Sequence, residues 1–121
     1  MRLGYPPPVY VLLLLQNLGR IRRRDVHTLL HGVKLRGVDL GYEFVPSFRG
    51  YYSRELDMDL AMLKALGLVK ESGDGYLELT EKGVKVVSSL LRHDDPTAKN
   101  LTKLVKGYVQ DKSSALTGNR R

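Results

Sequence analysis

Leu63-Lys64-Ala65-Leu66-Gly67-Leu68-Val69 runs directly into Lys70-Glu71-Ser72-Gly73-Asp74-Gly75-Tyr76-Leu77-Glu78-Leu79 and then into Thr80-Glu81-Lys82-Gly83. Gly67 supplies a C-terminal stop for a preceding helix. Asp74-Gly75 lies between two strand-like runs, Leu68–Ser72 and Tyr76–Thr80, and predicts a β-hairpin. Thr80 is a helix N-cap, opening a helix over about Glu81 to Leu91 with Val84, Val87, Leu90 and Leu91 turned inward. Upstream, Ser53 caps a helix over about Arg54 to Leu66. Its Leu56, Leu60 and Leu63 follow the i, i+4, i+7 rule, and Glu55 and Asp57 stand in the first turn, where the helix dipole favours them.

Further out, Pro6 to Pro8 lead into an apolar helix of about Pro8 to Leu18, which Gly19 ends. A second helix, about Arg22 to Lys34, carries Val26, Leu29, Leu30 and Val33 as one stripe. Gly32, Gly37 and Gly41 loosen the next stretch, and Tyr42–Val45 predicts a short strand before Pro46. His93-Asp94-Asp95-Pro96 breaks the chain. A fifth helix follows over about Thr97 to Gln110, with Leu101, Leu104, Val105 and Tyr108 on one face, and residues 112–121 predict a disordered basic tail. The expected organisation is one domain over 1–92, an added C-terminal helix over 93–111, and the tail.

Three helices, a hairpin and a helix are the element order of a winged-helix domain. The expected fold class is therefore mainly α with a small β-hairpin (α+β): a winged helix-turn-helix plus a C-terminal helix. The run from Leu63 to Val69 and the hairpin exit Tyr76 to Gly83 resemble the wing of many prokaryotic winged-helix regulators. Phe48-Arg49-Gly50-Tyr51-Tyr52-Ser53-Arg54-Glu55-Leu56 resembles the YGPYS-x-EL segment of the YwgA-like winged-helix proteins of bacteria and archaea, with Tyr51 where that pattern has proline. The resemblance spans about residues 8 to 92 and implies a fold rather than an activity.

The chain has 121 residues, of which 42% are hydrophobic and 27% charged, enough for one unaided core. It has no cysteine, which excludes disulfides, Cys-ligated zinc, Fe–S clusters and thiol catalysis. The longest apolar run, Pro8 to Leu15, is far short of the ~20 residues of a membrane span. Three prolines interrupt any signal-peptide pattern and no small-residue cleavage site follows, so a cytoplasmic protein without a membrane partner is expected.

The net charge of +7 suits an anionic partner. It is unevenly spread: residues 1–50 carry +5, residues 51–95 carry −3 and residues 96–121 carry +5. Arg54 to Leu66 has two positive and three negative side chains, which makes this helix a poor reader of a groove walled by phosphates. Lys70 in the wing is opposed by Glu71, Asp74 and Glu78. Phosphate contact without base reading is the expectation, through Arg20, Arg22, Arg23, Arg24, Lys34, Arg36 and Arg49, extended by Tyr51, Tyr52, Arg54, Lys64 and Lys70. Tyr51 and Tyr52, beside Arg49 and Arg54, would stack bases or contact phosphates if exposed; otherwise one packs under the third helix and the other is half exposed. Lys99, Lys103 and Lys106 form a basic stripe on the fifth helix, whose apolar stripe either docks on its own domain or makes a homodimer interface through Leu101, Leu104, Val105 and Tyr108.

His27 and His31 have metal-ligand spacing, but two ligands make no site, so no metal is expected. Asp57 and Asp59 diverge on a helix and cannot act as a carboxylate pair. Gly73-Asp74-Gly75 is a turn rather than a phosphate loop, and Ser53, Ser88 and Ser89 have no evident base. No enzyme activity and no cofactor are expected. The leading expectation is a DNA-binding transcriptional regulator, with double-stranded DNA favoured over RNA. The alternative is a protein-interaction or ribonucleoprotein-associated module without a DNA-reading role.

Overall fold

The computed structural model describes residues 3–92 and 94–118, from residue 109 onward by backbone alone. Ten elements follow in order: α1 (Pro7–Leu18), β1 (Arg20–Arg22), α2 (Arg23–Leu35), β2 (Val45–Ser47), β3 (Gly50–Tyr52), α3 (Arg54–Ala65), β4 (Val69–Glu71), β5 (Tyr76–Leu79), α4 (Glu81–Leu90) and α5 (Pro96–Gly118). The protein is thus mainly α with small antiparallel sheets. Helix α1 is the central rod. It is buried on every side from Tyr10 through Leu15, as a helix apolar all round must be, and it packs against α3, α4, α5 and the strands β1 and β5. The stripes read from the sequence on α2 and α3 are all buried: Val26, Leu29, Leu30 and Val33, then Leu56, Leu60 and Leu63.

The expected hairpin, β4–β5, gains a third strand. β1 pairs antiparallel with β5 (Arg20 with Glu78, Ile21 with Leu77, Arg22 with Tyr76), giving the order β1-β5-β4. Arg20–Arg22, expected as a loop and helix start, is this edge strand. Ile21 enters the core while the arginines flanking it stay outside, the two-residue period of a half-buried strand. A second hairpin, β2–β3, replaces the short strand expected at 42–45. It turns through Phe48 and Arg49, and it lies on α2. Gly50 at φ 140° comes so close to Thr28 on α2 that a side chain there would overlap the Thr28 hydroxyl.

Helix α4 corrects two expected core positions. Its inward side is Gly83 and Val87, leaving Val84 42% and Leu90 51% exposed, because the bare backbone at Gly83 lets the helix sit directly on Leu68. Helix α5 docks its apolar stripe on its own domain. Leu101 and Val105 are buried within the chain, and α5 packs on α1. Leu104 and Tyr108 pack partly buried against the same core. Asp95 anchors the helix: its carboxylate accepts from the Tyr10 hydroxyl and from the Ala98 N–H, both at 2.9 Å. The helix continues past the expected end near Gln110 to Gly118, since no proline or glycine interrupts residues 108–117. Of the tail, residues 119–121 lie outside the described residues, as does His93.

Candidate nucleic-acid interface

The outer face of the three-stranded sheet is built by register. Tyr76 and Glu78 on β5 alternate with the inward Leu77, and pairing places Arg22 beside Tyr76, and Arg20 and Lys70 on either side of Glu78. The Arg20 guanidinium carbon lies 4.3 Å from the Tyr76 ring centre, and that of Arg22 lies 5.1 Å from it. Arg22 Nε also donates to the Tyr76 hydroxyl at 3.0 Å. One aromatic ring therefore orients two guanidinium groups in solvent, by cation–π contact rather than by neutralisation. The acid nearest Arg20 is Asp74 in the turn, at 3.6 Å and well exposed, a pair that water and salt screen readily. The start of α2 is tied to this sheet by the Arg23 N–H donating to the Gly75 carbonyl, which brings exposed Arg24 beside the hairpin turn.

Arg23 departs from this cluster. Its guanidinium reaches inward and donates to Asp57 at 2.7 Å and to Glu71 at 2.8 Å, while Lys64 donates to the same Glu71 oxygen at 2.6 Å. Arg23 and Lys64 hold the Glu71 carboxyl below the usual carboxylate range. These two cations fasten α2, α3 and β4 together, so their charge is already met by acids. Lys34 is likewise committed: it donates to the Tyr42 carbonyl at 2.8 Å and pairs with Asp39 and Glu43, pinning the loop after α2. Arg36 is exposed at the far end of α2, about 18 Å along the helix from Arg24. Arg49 is exposed at the β2–β3 turn, 5.6 Å from the ring of Phe48, which is itself 94% exposed; Arg54 is exposed at the start of α3.

The third helix is less acidic at its surface than its composition implies. Asp57 turns to Arg23 and His27, and Asp59 accepts from the Tyr42 hydroxyl at 2.7 Å. What α3 offers outward is Met58, Ala61, Met62 and Ala65, after Arg54 and Glu55 at its start. The two histidines of α2 hold the β2–β3 hairpin. The rings of His27 and Tyr52 stack at 4.9 Å, and those of His31 and Tyr51 at 3.6 Å. Their four-residue spacing thus matches two adjacent tyrosines, and among the described residues no group of three or more metal-ligating side chains gathers. Tyr51 and Tyr52 keep only one ring face toward solvent. His27 Nδ1 accepts the Ser53 N–H at 3.0 Å, placing the ring proton on Nε2. Nε2 sits 3.4 Å from Asp57 without completing a hydrogen bond. Burial pushes the His27 imidazole below its ordinary range and Arg23 adds to this, while Asp57 opposes them.

The structure therefore sets Arg20 and Arg22 on Tyr76, Lys70 across Glu78 from Arg20 and exposed Arg24 at the start of α2, leaves Arg49 and Arg54 exposed at the β2–β3 turn and the α3 start, and removes Arg23, Lys34 and Lys64 from the free charge. Tyr76 and Phe48 were not among the sequence-derived site residues. The strand period does put Tyr76 on the outer face, but the partner strand lies more than 50 residues away in sequence. No helix among the described residues is long and apolar enough to cross a membrane. Comparison with protein-family models, with curated proteins and with solved structures gives no match to this chain.

Proposed function

We propose that the chain is a small winged-helix protein of the cytoplasm that binds nucleic acid, with duplex DNA the favoured partner and transcriptional regulation the role. The observation that carries this reading is the Arg20–Tyr76–Arg22 stack on the outer sheet face, with exposed Lys70 on the same sheet and exposed Arg24 at the start of α2. Guanidinium groups held on an aromatic ring are pre-oriented toward an anion and lose little freedom on meeting a phosphate. The α3 surface lacks a row of polar or basic side chains at base-reading spacing, so binding is governed by backbone phosphates and falls steeply with salt. The test is fluorescence anisotropy with a random duplex and a random RNA hairpin, at low and near-physiological salt. Replacing Arg20, Arg22 and Arg24 together by Ala should weaken duplex binding for all sequences alike and flatten the salt slope by up to ~3. An unchanged slope in that variant sinks the surface, and tighter binding of the hairpin than of the duplex moves the reading to RNA.

A second reading is favoured by α3 itself. Met58 is 62% exposed, and Met62 and Leu66 continue the same side of the helix. An exposed methionine stripe suits an adaptable protein partner. A module that docks proteins through this face would bind neither nucleic acid at low salt.

A further inference from the structure

Away from the sheet, α1, α4 and α5 enclose an open groove of about 800 Å³. Apolar side chains such as Leu13 on α1 and Leu91 just past α4 line it beside neutral polar Gln16, Ser88 and Thr102, and Arg92, Lys99, Lys103 and Lys106 complete the lining, with no carboxylate among the lining residues. Arg92 has one exposed partner, Asp94 at 3.5 Å, and the three lysines have no ion pair among the described residues. Lys99, Lys103 and Lys106 follow one another at intervals of four and three, so their charges line about 10 Å of a single wall. Stability does not explain four cations around this lining, since their mutual repulsion opposes it. We propose that this groove binds a small organic anion with an apolar tail and a head bearing at least two negative charges. The tail displaces water from the apolar lining while the doubly charged head meets several cations at once. The size lies within the range of small-molecule sites. A sugar–phosphate backbone would leave the apolar lining wet, so the site is separate from the Tyr76 surface and does not depend on the function proposed there.

The probe is octyl phosphate, titrated calorimetrically into the full-length protein below its micelle concentration. Butyl phosphate, octanoate, octyl glucoside and inorganic phosphate serve as comparisons. Each methylene buried is worth about fourfold in affinity, so octyl phosphate should bind at least tenfold tighter than butyl phosphate. It should also bind tighter than octanoate, and octyl glucoside should not bind. Replacing Lys99 and Lys103, both exposed, by Glu should reduce octyl phosphate binding at least tenfold and leave the circular dichroism spectrum unchanged. Equal affinity for octyl phosphate and inorganic phosphate, binding of octyl glucoside, or an unaffected double variant would each overturn the proposal. So would displacement of octyl phosphate by the random duplex, because the groove would then be a phosphate-backbone contact.

Discussion

Gly83→Ala is the substitution that most directly tests how α4 is seated. Gly83 is buried in the first turn of α4, and its N–H donates to the capping hydroxyl of Thr80 at 3.1 Å. A methyl group at this position would overlap the Leu68 carbonyl oxygen and lie 3.1 Å from the Leu68 carbonyl carbon and 3.3 Å from Leu79 Cδ2. The first obstacle is backbone, and it cannot rotate aside. The same Leu68 oxygen accepts from the Thr80 N–H at 3.0 Å, and the Thr80 hydroxyl donates to the Gly67 carbonyl at 2.6 Å, so lifting the helix strains its cap as well. Overpacking of this kind costs about 1–3 kcal/mol and a weakened cap about 1 kcal/mol, against a gain of about 1 kcal/mol from alanine's helix propensity. The net loss is about 2 kcal/mol, or a fall in Tm of about 10 °C for a domain of this size. The comparison is Gly32→Ala, also within a helix but with nothing within 4 Å of the added methyl, where propensity alone should raise Tm by a few degrees. Thermal unfolding followed by circular dichroism reads both. A Gly83→Ala protein as stable as the parent would refute the close approach of α4 to Leu68.

Three further substitutions probe the site and its supports. Arg23→Met keeps the stem but leaves Asp57 and Glu71 short of a partner. With these side chains about a quarter exposed, the cost in urea unfolding should be about 2 kcal/mol, below that of a fully buried pair, and the salt slope of duplex binding should not change. His27 is pushed below its ordinary value in the fold, so the unfolded chain takes up a proton first as the pH drops through about 6.5. Stability is therefore full above that pH and declines below it until the folded imidazole also protonates; His27→Gln should show a shallower fall in Tm between pH 7.5 and 5.5. Glu71, whose folded value is also lowered, adds a loss of the same sign only at more acidic pH. Asp95→Ala removes the α5 cap and strands the Tyr10 hydroxyl. It should cost about 2 kcal/mol and accelerate amide exchange in the first turns of α5 more than elsewhere, and uniform exchange would refute Asp95 as the anchor.

The free charge of the candidate interface was only partly readable from the sequence. Arg20, Arg22, Arg23 and Arg24 look equivalent as a basic run, yet strand alternation and one turn of helix send Arg23 inward to two carboxylates and the other three outward. The acidic count of α3 misleads for the same reason. Asp57 and Asp59 are consumed by residues of other elements, Arg23 and Tyr42, whose proximity no local pattern encodes. The β2–β3 hairpin has no apolar face of its own and contains Pro46, so its existence depends on His27 and His31 offering rings for Tyr52 and Tyr51.

By itself the sequence determined what depends on neighbours within a few positions. Apolar residues three and four apart, the caps Ser53 and Thr80, the stop at Gly67 and the Asp74-Gly75 turn each act through local backbone geometry, and the helices and the β4–β5 hairpin follow from them. Only the tertiary structure decided which cations remain free, that β1 joins β5, and that α5 covers its apolar stripe on α1. Those outcomes are set by pairings across long stretches of chain, 85 positions between Tyr10 and Asp95 and 87 between Tyr5 and Arg92, and a charge or a strand edge carries no mark of its distant partner until the chain is packed.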